Sequence, residues 1–435
     1  MIPTWVCGYP TQDEKGIYLA MDMGGTNLRV CEIELLGKQK NDLGKDVGTF
    51  DLQQSKYRIP KELLTGDAQD LFGFLADCLK QFIEEYHDIN KMKTLHLGFT
   101  FSYPCTQEYI DHGVLQRWTK GFDVPGVEGH DVVPMLENEL KALGVPITVA
   151  ALINDTTGTL IASRYTDNAT EIGCIFGTGC NAAYMDRMGD IPKLAHMKLD
   201  PDMPIAINCE WGAFDNEHKV LPLTPYDTQI DKESPRPGQQ TFEKMVSGLY
   251  IGEIFRLVLV DLAKREDVKM FEGQDISRLK KRYSLDAGFM SAIEEDPFEN
   301  LLNTRELFEQ KLDIDITKPE AELIRRLSEM IGTRAARLSA CGIAAVCMRK
   351  KIDKCTVGAD GSVVNKYPGF KDRVATALKQ IYDWKETHHS HSDYPIHVED
   401  SEDGSGVGAA LIAALTKKRV EQGNLAGIQF PENYR

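Results

Sequence analysis

The sequence lacks the features that mark secreted, zinc-binding and membrane-spanning chains. Its 435 residues hold ten cysteines but no CxxC pair, and Cys31, Cys78, Cys174 and Cys341 fall inside apolar patterns. Such cysteines are typical of reduced core thiols, so neither disulfides nor a zinc site are predicted. No charge-free apolar run approaches the roughly 20 residues of a membrane helix. The opening MIPTWVCGYP lacks a basic segment followed by an apolar one, which favours a cytoplasmic protein with no membrane segment.

Positive charge is scarce as well. The chain has 50 Lys and Arg against 66 Asp and Glu, a formal charge of −16. Because a surface that binds nucleic acid or anionic membrane needs excess basic residues, no direct nucleic-acid partner is expected. The common nucleotide motifs are missing too: residues 37–45 have the wrong spacing for a P-loop, and there is no dinucleotide fingerprint. Residues 37–45 are instead predicted to form a surface loop.

The stretch from Thr148 to Tyr184 is where the residues themselves indicate a chemical site. Residues 149–153 predict a short buried strand that ends at Asn154 and Asp155. Since ligands bind at the carboxyl ends of such strands, these polar side chains are candidates for chemistry. A helix is predicted to follow, to about Tyr165. The alternative is an Asp that only caps this helix beside an ordinary glycine-rich hairpin.

Two glycine turns of similar composition indicate a duplicated unit. The first, residues 24–27, joins predicted strands at 17–22 and 29–35, and the second, residues 177–179, follows an apolar run at 172–176. Glycine permits positive φ and close approach, so successive N–H groups could bind an anion such as phosphate. Hydroxyl and amide donors lie in or beside the second turn, at Thr178 and Asn181.

Further polar residues follow other predicted strands and turns. Ser102 follows an apolar run at 95–101, Glu210 ends another, and Glu243 comes after a Pro and Gly turn. Carboxylates so placed can accept hydrogen bonds from sugar hydroxyls, whereas a single Glu is usually a helix cap or a surface charge. Lys120 by itself reads as a solvated loop lysine. Three clustered histidines favour a surface loop over a metal site: His388, His389 and His391.

Together these segments resemble one family, the eukaryotic hexokinases of the fungal type. The segments that carry the resemblance are LAMDMGGTNLRV, LGFTFSYPCTQEYIDHGVLQRWTKGF, LINDTTGTL, IFGTGCNAAY, NCEWGAFDNE, SPRPGQQTFEKMVSG, GADGSV and EDGSGVGAAL. The resemblance implies an α/β protein with the actin-like ATPase fold, in which two ribonuclease-H-like domains surround a deep cleft. It places the small domain at residues 13–155 plus 403–435 and the large domain at 1–12 plus 156–402.

The resemblance also implies an activity: ATP-dependent phosphorylation of the 6-hydroxyl of glucose and related hexoses such as mannose and fructose, the first step of glycolysis. Asp155 would be the general base and Lys120 a second catalytic residue. The implied hexose-binding residues are Ser102, Thr119, Lys120, Asn154, Asp155, Asn181, Glu210 and Glu243. The implied ATP-binding residues are Asp22, Gly24, Gly25, Thr26, Asn27, Arg29, Gly177, Thr178, Gly179, Gly358, Asp360, Gly361, Ser362, Gly404 and Ser405. Mg2+ would be carried by ATP, with Asp22 holding a metal-bound water and no direct protein ligand.

Two departures and two alternatives accompany the resemblance. Tyr103 stands where the family pattern has Phe, which adds a hydroxyl near the sugar loop. Family members usually carry an N-terminal helical extension before the segment corresponding to MIPTWV, so the roles of that extension are not expected of this sequence. A glucose-sensing function is an alternative kept as an added role. An actin-like ATPase without a sugar is disfavoured by Ser102, Thr119 and Lys120, and a homodimer is left open.

Overall fold

The computed structural model describes residues 1–25, 27–40, 44, 46–89, 91, 93–118, 121–197, 199–385, 389–401 and 403–434. Thr26, Thr119 and Lys120, three of the residues that the resemblance assigns to nucleotide or hexose, lie outside the described residues. The chain divides into two compact units: unit 1 is Met1–Gly173, Ala182–Cys209 and Ser401–Arg435, and unit 2 is Cys174–Asn181 and Glu210–Asp400. The domain boundaries expected from the resemblance stay a prediction.

Strands lie in both units, most of them in unit 1. In the described part of the chain they are β1 (Ile2–Cys7), β2 (Lys15–Met23), β3 (Asn27–Lys40), β4 (Asp46–Arg58), β5 (Leu95–Phe101), β6 (Cys105–Thr106), β7 (Val114–Leu115), β8 (Ile147–Ile153), β9 (Thr170–Phe176), β10 (Cys180–Arg187), β11 (Pro204–Asn208), β12 (Cys355–Asp360) and β13 (Ile396–Asp400).

Helices dominate unit 2. Over the same described residues the α-helices are α1 (Ala68–Tyr86), α2 (Val132–Ala142), α3 (Asp155–Thr166), α4 (Pro225–Glu233), α5 (Thr241–Val246), α6 (Gly248–Leu262), α7 (Ser277–Lys280), α8 (Ala287–Glu294), α9 (Leu302–Leu312), α10 (Lys318–Lys350), α11 (Ser362–Lys366), α12 (Phe370–Tyr382) and α13 (Gly404–Glu421).

A five-stranded sheet in the order β4-β3-β2-β5-β8 forms the centre of unit 1. β2 and β3 are the predicted first hairpin, antiparallel and paired from Lys15 opposite Leu36 to Met23 opposite Leu28. β5 runs parallel to β2 and to β8, and all three are lined by buried apolar residues, as expected for strands covered on both faces. The predicted buried strands at 95–101 and 149–153 are therefore confirmed.

The prediction of a surface loop across residues 37–45 is wrong for its first part. β3 continues to Lys40 and pairs with β4, so that Lys38 faces Gly48 and Lys40 faces Asp46. A register shift between Leu35 and Gly37 accommodates the glycine, which has φ 81°. The side chains of residues 38–40 are exposed to solvent, so this polar segment is a solvent-exposed part of β3 and not a loop.

α13 packs closely within unit 1 because its residues are small. A Cβ added to Gly408 would lie 2.1 Å from the Gly158 carbonyl oxygen in α3, and one added to Gly98 in β5 would lie 2.1 Å from the Ala409 carbonyl oxygen. Side chains at these positions would push α13 off α3 and the sheet. The close packing brings the amino end of α13, with Gly404 and Ser405, to the carboxyl ends of β2 and β5.

A second sheet has the strand order β1-β11-β10-β9-β12-β13. In unit 1, β11 pairs antiparallel with β1 and with the Ala183–Arg187 part of β10. In unit 2, β12 and β13 are parallel, from Cys355 opposite Ile396 to Ala359 opposite Asp400. β12 ends at Asp360, so the segment predicted to bind nucleotide follows a buried strand, as the sequence indicated.

α10 is the long helix of unit 2, and it begins at a capping box in which Thr317 accepts from Glu320 N and Glu320 reaches back to Thr317 N. It packs against α12 and α6. By length and composition alone this helix, with a mean hydropathy of 1.2 over its most apolar window, is apolar enough to cross a membrane. However, 56% of that window is buried inside the protein. The face that packs in the core includes Ile324, Ala335 and Ala340, whereas Cys341, whose apolar surroundings predict a core thiol, is exposed.

Candidate active site

Three neighbouring parallel strands of unit 1 end beside one another and present polar residues. Asp22 in β2 lies opposite Thr100 in β5, and Thr100 in turn lies opposite Ile153 in β8. Ser102 follows β5 by one residue, and Asn154 and Asp155 follow β8. The structure thus places these candidate residues at one edge of a single sheet, the edge where parallel α/β sheets bind ligands.

Asn154 and Asp155 are held by the start of α3. Asn154 is the N-cap, and its Oδ1 accepts from Thr157 N at 2.9 Å. Its Nδ2 is buried and finds no hydrogen-bond partner within the described residues. A buried donor without an acceptor is costly, so this amide indicates a group that binds there.

The Asp155 carboxylate is oriented by its neighbour. Its Oδ1 accepts from Thr156 N at 2.8 Å and from Thr156 Oγ1 at 3.1 Å. Among the described residues no donor reaches Oδ2. The side chain is half-buried at the first turn of a helix, where the dipole favours a negative charge. Thr156 therefore fixes one oxygen of Asp155, and the N-cap of α3 is Asn154 and not Asp155.

The first glycine turn is closed by Gly24 N, which donates to Asn27 O at 3.0 Å. Arg29 lies just beyond this turn and donates to Ser405 Oγ at 2.7 Å, while its guanidinium is 2.5 Å from Asp403 Oδ1. Ser405 Oγ donates in turn to Asp22 Oδ2 at 2.7 Å. β2, β3 and the amino end of α13 are therefore joined in one charged network within unit 1.

In unit 2 the two predicted sugar carboxylates and Asn181 lie near each other. Glu243, in α5, accepts from Cys180 N at 3.0 Å, and Glu210 accepts from Asn181 Nδ2 at 3.4 Å. Burial raises the pKa of the Glu243 carboxyl above its ordinary value; the Cys180 hydrogen bond opposes this, and the charge of Glu210 adds to it. Glu210 has φ 50° and ψ 41°, a strained conformation for a residue with a side chain.

The second turn is formed as predicted, but one reason given for its glycines is wrong. Neither Gly177 nor Gly179 has the positive φ that was expected, and neither does Gly24 in the first turn. Close approach is the actual requirement. A Cβ on Gly179 would lie 2.6 Å from Glu243 Oε2, so this glycine makes room for the carboxylate that accepts from Cys180.

The predicted nucleotide segment after β12 lies against this second turn. Gly361 has φ 120°, and a Cβ there would lie 2.7 Å from Gly177 N. Asp360 Oδ1 accepts from Gly361 N at 2.6 Å, and Ser362 begins α11. Gly358 instead lies inside β12, paired opposite Glu399, two residues before the turn. Thr178 is exposed at the tip of the second turn.

Several residues of these networks were not singled out by the sequence. Asp403 binds Arg29, and Gln240 Nε2 donates to Glu243 Oε1 at 3.4 Å. The Tyr103 hydroxyl, which the sequence did single out, donates to Gly24 O at 3.1 Å. Asp403 could have been found because it directly precedes the Gly404 and Ser405 turn. The role of Gln240 depends on a left-handed backbone, φ 56°, which no local pattern signals.

Two family models for hexokinases match the chain, one over residues 1–165 and the other over residues 171–415. Among curated relatives, the hexokinase of Emericella nidulans is 62% identical over 98% of this chain and 84% of its own length. Hexokinase-2 of Saccharomyces cerevisiae is 54% identical over 98% of this chain and 86% of its own length. Both similarities extend across nearly all of the residues described above.

Solved structures agree with the sequence comparisons. The hexokinase of Schistosoma mansoni complexed with glucose superimposes with a TM-score of 0.78 at 36% identity, covering 95% of this chain and 88% of that one. A ROK hexokinase from Thermus thermophilus has a TM-score of 0.50 at 15% identity and covers 93% of this chain and 99% of its own. The second likeness concerns the fold alone, and both match the actin-like ATPase architecture expected from the sequence.

Proposed function

The chain belongs to the hexokinase family, and from this premise we propose that it transfers the terminal phosphoryl group of ATP to the 6-hydroxyl of a hexose, with Asp155 as general base. Membership of this family is the support for the reaction class, phosphoryl transfer from ATP to a hexose. The observation that supports the residue assignment is the edge of the unit 1 sheet, where three adjacent parallel strands end: Asp22 lies near the end of β2, Ser102 follows β5, and Asn154 and Asp155 follow β8.

The proposed chemistry at Asp155 follows from its hydrogen bonds. Thr156 holds Oδ1, so Oδ2 is the oxygen that would accept the proton from the hexose hydroxyl as that hydroxyl attacks phosphorus. In a loose phosphoryl-transfer transition state the attacking alcohol needs positioning more than early deprotonation. A carboxylate whose direction is fixed by a backbone N–H and a hydroxyl supplies that positioning.

Hexose recognition is proposed to combine acceptors and donors. The buried Asn154 Nδ2 would donate to a sugar oxygen, and Glu210 and Glu243 would accept from sugar hydroxyls. Ser102, Asn181, Thr119 and Lys120 complete the proposed set, the last two by resemblance alone. Buried polar groups reject analogues that lack a hydroxyl, because the protein group would then be left unpaired. Glucose, mannose and fructose are the proposed substrates.

ATP is proposed to contact both glycine turns, Arg29, the Asp360–Ser362 segment and the amino end of α13. Mg2+ would arrive with the nucleotide. This agrees with the general behaviour of Mg2+, which commonly takes most of its ligands from phosphates and water. Asp22, beside Ser405, would accept from a metal-bound water. The same proposal places the activity in the cytoplasm, which fractionation of a tagged chain would test.

An assay of ADP release across several hexoses tests the assignment of Asp155. We expect Asp155→Ala to lower kcat by about 10²- to 10⁴-fold, the usual contribution of a general base, with the circular dichroism spectrum unchanged. Asp190→Ala is the matched control, because Asp190 is an exposed aspartate of the same unit with no role in the proposed site. Normal glucose phosphorylation by Asp155→Ala would contradict the assignment, whereas no activity in the parent chain would contradict the function itself.

A further inference from the structure

Tyr103 lies at the centre of an aromatic cluster in unit 1 that borders the predicted sugar loop. Its ring centroid is 4.7 Å from that of Phe101, 5.1 Å from Trp118 and 5.7 Å from Phe122, and the two latter contacts are edge-to-face. Trp118 and Phe122 also stack on each other at 5.2 Å. Three aromatic contacts therefore hold the Tyr103 ring in place.

The hydroxyl of Tyr103 reaches in a different direction, to the first glycine turn. Only 6% of the residue is exposed, and its hydroxyl donates to Gly24 O at 3.1 Å. Burial raises the pKa of this phenol further above its ordinary value, so that it remains a donor at neutral pH. The residue expected here by resemblance is Phe, which has the same ring and no hydroxyl. The hydrogen bond is therefore an addition to the cluster and not a requirement of its packing.

This bond acts on the direction of a neighbouring N–H. Gly24 O and Gly25 N–H belong to one peptide group, and no cis peptide is present in the described chain. In a planar trans peptide the carbonyl and the following N–H point in opposite directions, so fixing the Gly24 carbonyl also fixes the Gly25 N–H. Gly24 N is already held by Asn27 O at 3.0 Å. The peptide groups on both sides of Gly24 are thus held by hydrogen bonds, although glycine is otherwise the residue with the most backbone freedom.

We propose that Tyr103 is a positioning residue for the first phosphate turn: its ring is held by Phe101, Trp118 and Phe122, and its hydroxyl orients the Gly25 N–H toward a nucleotide phosphate. The inference rests on the proposed function. It predicts that loss of the hydroxyl weakens nucleotide binding and leaves hexose binding unchanged. A purely structural tyrosine would affect only stability.

Tyr103→Phe separates these contributions because it removes the hydroxyl and keeps the ring. We expect the KM for ATP to rise between about twofold and tenfold, as for the loss of one ordinary hydrogen bond. The dissociation constant for ADP, measured by calorimetry without sugar, should rise by the same factor. The KM for glucose should stay within about twofold. Tyr103→Leu, which also removes the ring, should raise both nucleotide constants at least as far as Tyr103→Phe does.

Tyr165→Phe is the control, because Tyr165 is also buried in unit 1 and donates to backbone oxygens of Glu14 and Thr49, away from both turns. It should leave both nucleotide constants unchanged. Equal ADP and ATP constants in Tyr103→Phe and the parent would overturn the inference even if hexose phosphorylation is normal. Loss of phosphorylation in the parent chain would instead refute the proposed function, so the two failures are distinguishable.

Discussion

Asn154 and Glu243 each have a polar group, fully or partly buried, whose energetic cost a hydrogen bond with a hexose hydroxyl would reduce. Asn154 Nδ2 is buried without an acceptor in the described structure, and burial raises the pKa of Glu243. Such groups reduce the stability of the free protein, and proteins keep them mainly where a ligand repays the cost. At the scale of single residues, the candidate site is therefore indicated by one buried donor without an acceptor and one carboxylate with a raised pKa.

Glu243→Gln tests this at the carboxylate. Replacing a charged acceptor with a neutral one is expected to weaken glucose binding by about 10- to 100-fold, the usual worth of a hydrogen bond to a charged group. The free energy of unfolding of the sugar-free protein should instead increase. Because the pKa of Glu243 is raised in the folded state, the folded protein holds this proton more tightly than the unfolded chain, and its stabilising contribution is lost as pH rises through the folded pKa.

Glutamine has no proton to lose, so the variant should gain stability relative to the parent as pH rises. Urea unfolding from about pH 5 to about pH 8, with glucose titrations alongside, would measure both effects. Glu217→Gln is the control, since Glu217 is an exposed carboxylate of the same unit. A stability difference that shrinks with rising pH would contradict the assignment of burial as the dominant cause.

At the scale of elements, α13 is the part whose packing most directly supports the site. Its amino end carries Ser405, which bonds to Asp22 and, through its carbonyl oxygen, accepts from Thr100 Oγ1 at 2.8 Å. The helix can lie this close only because glycines and alanines face α3 and β5. Small residues in this helix thus determine where a residue proposed to bind nucleotide is held.

Gly408→Ala tests whether the position of Ser405 depends on the small residues of α13. The new Cβ would lie 2.1 Å from Gly158 O, a backbone atom that cannot rotate away, so α13 must shift. We expect a loss of about 1 to 3 kcal/mol in the free energy of unfolding, as for overpacked cores, and a higher KM for ATP because Ser405 moves with the helix. Lys417→Ala, on a partly exposed face of the same helix, should change stability by less than about 0.5 kcal/mol. An unaltered stability in Gly408→Ala would show that α13 is not tightly held.

Elements with a strong apolar period were predictable, and those set by long-range pairing were not. The helical spacing of Leu71, Leu75 and Leu79 predicts α1, and the apolar run before Asn154 predicts β8. In both cases the local sequence pattern shows which residues are buried. The continuation of β3 through Lys40 was missed, since an exposed Lys and Gln segment becomes strand only by pairing with β4. Close approach at Gly179 depends on Glu243, more than 60 residues away, and no local pattern reveals it.

At the scale of the whole chain, the resemblance predicted the fold and the reaction class, and the comparisons confirm both. The limits of the compact units are harder to read from a sequence. β9 and β10 are each divided between unit 1 and unit 2, at Gly173 and at Ala182, so a boundary falls within regular strands. Boundary prediction relies on polar, flexible linkers, and the sequence has no such signal at these positions.

Binding of a hexose should be visible in the stability of the whole chain. A ligand that binds only the folded state adds about 2.7 kcal/mol at one hundred times its dissociation constant, and about 1.4 kcal/mol for each further tenfold in concentration. We therefore expect D-glucose to raise the thermal unfolding temperature in proportion to the logarithm of its concentration. L-glucose presents the same hydroxyls in the mirror arrangement and should have no effect.

Asn154→Ala separates specific binding from a general effect of sugar as a solute. The substitution removes the buried amide and the N-cap bond to Thr157 N, so it should lower the starting stability by about 1 kcal/mol. It should also shift the D-glucose response to at least about tenfold higher concentration, because the sugar loses a donor that has no other acceptor. Asp286→Ala, which removes the N-cap of α8 in unit 2, is the matched control and should lower stability without shifting that response. An equal response to D- and L-glucose, or one unchanged in Asn154→Ala, would contradict hexose binding at this edge of the sheet.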